Sequence, residues 1–245
     1  MIVLFTDFGY QGPYLGQMRA AIAQQSASTL VIDLIHDAPQ YNLKAAAHLL
    51  AAYTQDFPVG TVFLSVVDPG VGTDTRQPVI VHADGCWYVG PGNGLFNVLS
   101  ARAQQAQWYQ IDWRPNKLSH SFHGRDLFAP IAAKLAIGEP INHYASPISA
   151  PLTQHCPNDL FEAIYFDAFG NAITGIRSET LNDNHHLNIN DQILHYARTF
   201  GEVAIGQTFW YRNANQLIEI ATNQSNTQRH LALQIGDKIT LNPDC

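Results

Sequence analysis

Four residues of this chain, Asp7, Asp68, Arg76 and His123, combine a type and a spacing that could act on a small molecule. Asp7 follows the apolar run Ile2–Thr6, in Thr6-Asp7-Phe8-Gly9. In an open α/β sheet, ligands bind beyond the carboxyl ends of the strands. A carboxylate there can accept two hydrogen bonds from a vicinal diol, as on a ribose. The plainer reading is a helix N-cap, which Asp fills well. Asp68 ends a second such run, residues 61–67, and opens Asp68-Pro69-Gly70-Val71-Gly72-Thr73, a tight loop by its Pro/Gly punctuation. Arg76, eight residues on, can return to the same edge. A structural Asp–Arg pair locking the loop is the plainer account, and spacing alone favours it. Gly70-Val71-Gly72 is not a dinucleotide fingerprint, because the third Gly is missing and no helix pattern follows. His123 sits in Ser119-His120-Ser121-Phe122-His123-Gly124-Arg125-Asp126, just before an apolar helical stretch. Free N–H groups at a helix start suit an anion or an activated water, and an imidazole titrates near neutral pH. Any single histidine among the 11 present is otherwise an ordinary surface or core residue; His36-Asp37 and His185-His186 are such cases, without metal-ligand spacing.

Two further segments are open in backbone character. Gly90-Pro91-Gly92-Asn93-Gly94 lets a flat ligand or another chain approach closely, but no Lys follows to make it a phosphate loop. Asp167-Ala168-Phe169-Gly170-Asn171 joins two strand-like runs and reads first as a hairpin turn.

The elements that must position these residues alternate between strand and helix in the first half. Residues 2–6, 30–35 and 61–67 read as strands, Tyr14–Gln25 and residues 45–53 as helices. Residues 78–82 and 86–89 form a hairpin about Asp84-Gly85, and residues 94–101 and 125–136 are helical. This predicts an α/β N-terminal domain with a mainly parallel central sheet. From 141 to 158 the chain holds Pro147, Pro151 and Pro157 without periodicity and reads as a linker. Short alternating segments then predict a smaller all-β C-terminal domain. The domains are expected at residues 1–148 and 159–245, with the linker at about 149–158.

Composition narrows the partners. The 245 residues are 46% hydrophobic but only 13% charged, with net charge −7 and no basic run, which argues against nucleic acid and anionic membrane. No apolar run approaches the length of a membrane span, and the N-terminus is not a secretory signal. Cys86, Cys156 and Cys245 suggest neither a disulfide framework nor a zinc site, and fit a reducing cytoplasm.

In order and spacing these segments resemble one family over nearly the whole chain. Thr6-Asp7-Phe8-Gly9, Val66-Val67-Asp68-Pro69-Gly70-Val71-Gly72-Thr73, Gly90-Pro91-Gly92-Asn93-Gly94-Leu95, Phe122-His123-Gly124-Arg125-Asp126 and Asp167 with Phe169-Gly170-Asn171 look like the S-adenosyl-L-methionine hydroxide adenosyltransferases, relatives of the halide-using fluorinases and chlorinases. The resemblance implies a homotrimer, with the small-molecule substrate between the N-terminal domain of one subunit and the C-terminal domain of its neighbour. It implies that Asp7 holds the ribose hydroxyls and that Phe8 and Tyr41 line the pocket. Phe122 and Gly124 would flank the reacting carbon. Asp68, Arg76 and His123 match the hydrolase set. Asp167 would take the methionine ammonium, and Phe169 and Asn171 the adenine. Asn213, Asn215, Asn223 and Gln224 would supply contacts to the methionine carboxylate and the adenine edge. Gly92, Asn42 and Ala214 depart from the family's usual Asp, Asp and Ser.

The implied reaction is displacement at ribose C5′ by water or hydroxide, with methionine leaving and no cofactor or metal. Asp68, oriented by Arg76, would position the water and His123 would accept or relay its proton, with Arg76 equally able to stabilise a hydroxide. A halide-using synthase is disfavoured by the charge of Asp68, since those relatives lack a carboxylate there. A non-catalytic adenosine or S-adenosylmethionine sensor could dispense with Asp68, Arg76 and His123. A metal hydrolase built on His36, Asp7 and Asp68 lacks close ligand spacing.

Overall fold

The structure is a computed structural model that describes residues 1–73, 76–150 and 157–242. The chain divides into two compact units, Met1–Cys156 and Pro157–Cys245. Residues 151–156 of the expected linker, and with them Cys156, lie outside the described residues, as does Cys245; Cys86 is buried with a free thiol.

The first unit is built on a seven-stranded sheet. Its strands are β1 (Ile2–Thr6), β2 (Val31–Ile35), β3 (Val62–Val66), β4 (Pro78–Ala83), β5 (Cys86–Pro91), β6 (Ala106–Ile111) and β7 (Ala145–Ile148), in the order β2-β1-β3-β5-β4-β6-β7. The first four in that order run parallel, and β4, β6 and β7 pair antiparallel. β1 and β3 are apolar and buried at nearly every position because helices cover both faces of the parallel half. Ile2, Leu4, Val62 and Leu64 pack in one core with α1 (Tyr14–Gln25) and α4 (Ala129–Ala136). On the other face Phe63 stacks on Tyr88 at 4.9 Å, and the Tyr88 hydroxyl reaches Thr54 at the end of α2 (Leu43–Tyr53). Phe96, which leads into α3 (Asn97–Arg102), closes that layer against Tyr88.

The chain leaves β1 toward β2 on one side, and leaves β3 toward β4 and β5 on the other. The carboxyl ends of β1 and β3 are therefore a topological switch point, where open α/β sheets leave a crevice. Two glycines let the β5 segment close in beside it. At Gly90 any Cβ would meet the Ser65 carbonyl of β3, and at Gly92 it would come 2.6 Å from the Gln77 carbonyl, which accepts the Gly92 N–H at 2.8 Å. Gly92 thus serves a close backbone approach, and an Asp does not fit this backbone.

Two readings of the sequence change. The helical stretch after His123 is two pieces, a π turn at Gly124–Phe128 and then α4. Pro130, which has no N–H to donate, sits in the first turn of α4, where that loss is harmless. The start of the segment read as a linker holds β7, an edge strand whose Pro147 is tolerated because it lies at the rim of the sheet.

The second unit holds a four-stranded antiparallel sheet of β8 (Leu160–Phe166), β9 (Ala172–Arg177), β12 (Thr208–Arg212) and β13 (Leu217–Thr222), in the order β12-β13-β9-β8. β10 (Leu187–Ile189), β11 (Gln192–Leu194) and β14 (Thr240–Leu241) make a small second sheet, and α5 (Thr227–His230) is a single turn. Trp210, Ile218 and Ile220 fill its core.

Gly90→Ala should lower stability by about 2 kcal/mol or more, because an overpacked backbone contact cannot relax as a side chain would. Thermal unfolding checks this, and an unchanged Tm would show that β3 and β5 have slack at this point.

Candidate active site

In the first unit, a cavity of about 720 Å³ lies at the switch point. Asp7, Phe8, Tyr41, Asp68, Phe122, His123 and Gly124, all singled out from the sequence, line it. Asp7 is not a helix N-cap: α1 starts behind Pro13 with no side-chain cap. Its loop is held instead by the Gln40 amide, which donates to the Asp7 carbonyl at 3.0 Å, and by the Gly9 N–H on the His36 carbonyl at 2.6 Å. His36, fully buried, pairs its Nδ1 with the Thr6 hydroxyl at 2.9 Å and lies 3.1 Å from Asp33, itself bound to Arg19. This chain of contacts behind Asp7 escaped the sequence reading, which took His36 as ordinary. Burial pushes the Asp7 carboxyl up, and the negative Asp68 adds to the rise.

Asp68 and Arg76 form an ion pair with side-chain exposures of 5% and 8%. Arg76 also donates to the Gly70 carbonyl at 2.8 Å, and Asn93 of the Gly-rich loop clamps the Val67 carbonyl at 2.9 Å. The pair thus locks its loop, as the plainer reading had it. It also keeps capacity in reserve, because among the described residues neither Asp68 Oδ1 nor Arg76 Nε, both buried, has a hydrogen-bond partner. His123 enters the same cavity from the residue before the π turn, and π turns concentrate at functional sites. Asp126 secures that loop by accepting the Ser119 N–H at 2.8 Å. Burial, reinforced by the Arg76 charge and opposed by Asp68, lowers the proton affinity of His123 below the ordinary 6.5. The site therefore favours the neutral imidazole, the form that a proton acceptor needs. Phe8, Tyr14 and Phe122 wall the cavity in mutual ring contacts, edge-on where Phe122 meets Phe8 and Tyr14, with Tyr14 and Phe122 5.3 Å apart. Tyr41 is 82% exposed at a positive φ of 59°, a backbone setting that a bulky residue rarely adopts. Next to it, Asn42 caps α2 by accepting the Ala45 N–H at 3.1 Å, a task that Asn and Asp share.

The second unit has a cavity of about 640 Å³ lined by Asp167, Phe169, Asn171, Phe200, Tyr211 and Gln224, with Phe169 78% exposed. Asp167 Oδ1 accepts the N–H groups of Phe169 and Asn171 at 2.9 and 2.8 Å, so the hairpin-turn reading holds as well. Asp167 Oδ2 accepts the Asn171 amide at 3.0 Å. Asn213, Asn215 and Asn223 are not among its lining residues. Asn213 accepts from the N–H groups of Asn215 and Leu217, both at 3.0 Å, and Asn223 donates to the Val203 carbonyl at 2.8 Å. Ala214 is an exposed residue of the same turn.

Sequence reasoning missed Glu219. Only 5% exposed, it accepts from the Tyr211 hydroxyl directly across the sheet and from Asn213 at 2.9 Å. Burial pushes its carboxyl up, and the Asp167 charge adds to this. Its signal was an acid flanked by two isoleucines inside a fully buried strand. Among the described residues, no group of three or more His, Cys, Asp or Glu is placed to hold a metal ion, and no helix is long and apolar enough to cross a membrane.

With this geometry in hand, comparison with known proteins gives a consistent picture. Residues 2–145 match the model of the SAM hydroxide adenosyltransferase N-terminal domain, and residues 161–240 that of its C-terminal domain. A relative from Thermus thermophilus named (R)-S-adenosyl-L-methionine hydrolase is 33% identical, covering 98% of each chain. The structure of an uncharacterized conserved protein from Thermotoga maritima superposes with a TM-score of 0.89 at 29% identity, over 98% of this chain and 99% of that one. A protein named fluorinase from Actinopolyspora mzabensis is more distant, 24% identical over 58% of this chain and 56% of its own.

Glu219→Ala strands the Tyr211 and Asn213 donors and should cost about 2 kcal/mol, read as a fall in Tm. The sign of the pH effect follows from the raised carboxyl. The folded state binds the extra proton, so the wild type loses stability as pH rises above 4.5, the ordinary value, and through the raised one. That loss should be smaller in the variant, and equal pH slopes would refute the assignment.

Proposed function

Because the chain belongs to the SAM hydroxide adenosyltransferase family, we propose that it is an enzyme that cleaves S-adenosyl-L-methionine with water, releasing adenosine and L-methionine. The observation that supports this most is the buried Asp68–Arg76 pair with one carboxylate oxygen unpartnered, its Asp68 on the lining of a cavity shared with Asp7 and His123.

The chemistry follows from the charges. The leaving sulfur is a sulfonium that departs as a neutral thioether, so it needs neither an acid nor a Lewis acid. Water is the weak partner, and Asp68 Oδ1 is free to accept one of its hydrogen bonds and hold it in line with the C5′–S bond. As the C5′–O bond forms, the C5′–S electron pair returns to sulfur and neutral His123 takes the proton. Asp7 accepts from the two ribose hydroxyls, Phe8, Tyr41, Phe122 and Gly124 enclose the sugar and sulfur, and no cofactor takes part. Asp167 meets the ammonium, while Phe169 and Asn171 hold the adenine; Gln224 reaches the same ligand, with Asn213, Asn215 and Asn223 shaping the turns around it.

The protein is further proposed to be a cytoplasmic homotrimer whose ligand is held between the first unit of one subunit and the second unit of its neighbour. The family resemblance supports this, as do the exposed aromatics Tyr41 at 82% and Phe169 at 78%, each on the rim of a cavity that carries a different set of ligand-binding residues.

Purified protein should convert S-adenosylmethionine to adenosine and methionine, with label from ¹⁸O-water in the 5′-oxygen. Both sulfonium epimers belong in the assay, since the Thermus relative is named for the (R) form. Asp68→Ala should lose at least a hundredfold in kcat while the substrate Kd changes little; normal turnover by that variant would refute the role of Asp68 in activating water. At high chloride or fluoride, chromatography should show no 5′-halo-adenosine, because an ionised Asp68 repels an anion at the attack position; substantial halogenated product would move the chain to the halide-using relatives.

Mixing Asp7→Ala with Asp167→Ala protein should restore part of the activity, because some hybrid sites then have both intact halves. A fully active monomer in light scattering would exclude the shared site.

A further inference from the structure

Beyond the substrate cleft there is a second cavity, of about 380 Å³. Asp68 lines the cleft and not this space, Arg76 lines this space and not the cleft, and His123 lines both. The ion pair and the imidazole are therefore a partition between two compartments. Among the described residues, Arg76 and Arg114 are the charged groups on the lining of the second one, joined by His120. Arg114 and His120 are also exposed, so this compartment reaches solvent without passing through the cleft. At the partition lie the two buried atoms without partners, an acceptor on Asp68 and a donor on Arg76. Unpaired buried polar atoms beside a roomy polar cavity are where proteins hold water.

We propose that this second cavity admits the attacking water and carries away its proton. The inference rests on the hydrolase reading above. Each turnover consumes one water and releases one proton. Attack in line with sulfur has to come from the face of C5′ opposite the leaving group, while the substrate itself fills the cleft. The second cavity delivers water to the partition, where Asp68 receives it. Once the C5′–O bond has formed and the C5′–S pair has gone to sulfur, His123 holds the proton. The charges acting on His123 are Arg76, Asp68, Arg114 and Asp126. The two arginines belong to the second cavity, and they drive the proton off the imidazole to water there, with His120 at the mouth as its next acceptor. Arg114 and His120 are thus positioning and relay residues that do not touch substrate.

The test obstructs the cavity without replacing a residue of the partition. Leu118 is on its lining and is none of the three residues of the partition, and Leu118→Trp should fill much of it. The expected result is a substrate Kd within twofold of wild type and a kcat at least tenfold lower. A folded Leu118→Trp protein with wild-type kcat would overturn the proposal. Should that variant fail to fold, His120→Ala at the exposed mouth decides. Its kcat should fall at least threefold in dilute buffer and recover with rising imidazole buffer, which a merely structural residue does not do. A rate equal to wild type at every buffer concentration overturns the relay. Wild-type turnover is measured first. Its absence sinks the hydrolase reading and this inference with it, whereas turnover insensitive to both variants removes only the second cavity's role.

Discussion

A charge removed from water must be matched, and Asp68 with Arg76 is where this chain meets that demand most severely. Breaking such a pair by removing one member costs several kcal/mol, so Arg76 has to return to the end of β3. Its neighbours serve the same end. The Gly70 carbonyl takes a second bond from Arg76, Asn93 holds Val67, and Gly90 lets β5 close against β3. A pair meant only to lock a loop would use all its hydrogen-bonding capacity. This one leaves a buried acceptor and a buried donor open on residues that line two cavities, which is the arrangement expected when the missing partner is a transient guest.

The pairing also settles a problem of catalysis. In the proposed reaction the positive charge on sulfur disappears toward the transition state. A bare carboxylate near sulfur would stabilise the ground state more than the transition state and slow the step. Arg76 cancels much of the field of Asp68 while leaving one oxygen as a hydrogen-bond acceptor. Asp68 can then direct a water without acting as a counter-ion to the sulfonium. Asp7 shares the cavity, where burial pushes its carboxyl up and the Asp68 charge adds to the rise.

Much of the parallel half was legible in the sequence, because strands covered on both faces are continuous apolar runs. Ile2–Thr6 and Tyr14–Gln25 have the same bounds in both readings. The antiparallel half was harder. β6 is Ala-Gln-Trp-Tyr-Gln-Ile, in which polar residues interrupt the apolar signal, and β7 contains a proline that only an edge position allows. The residues facing the first cavity were found through short motifs at strand ends. The supports behind them were not, since Thr6, His36 and Asp33 meet only after the chain has folded.

The second unit shows why a supporting residue can matter as much as the one that touches a ligand. An Asn amide is symmetric in shape and can turn either way in isolation. Carboxylates accept hydrogen bonds and, when ionised, donate none, so Asp167 fixes the amide of Asn171 with its nitrogen toward Asp167 Oδ2. The Asn171 carbonyl oxygen is thereby left as the acceptor available to a ligand. In the proposed complex an acceptor in that position would suit the exocyclic amino group of adenine and would meet the carbonyl of a deaminated purine as a second acceptor. Discrimination of this kind is worth more than an apolar wall can supply, because the wrong base leaves two buried acceptors facing each other. Glu219 stands behind this turn as the buried acceptor of the Tyr211 and Asn213 donors. In the proposed reaction Asp167 both holds that amide in place and meets the ammonium of the substrate.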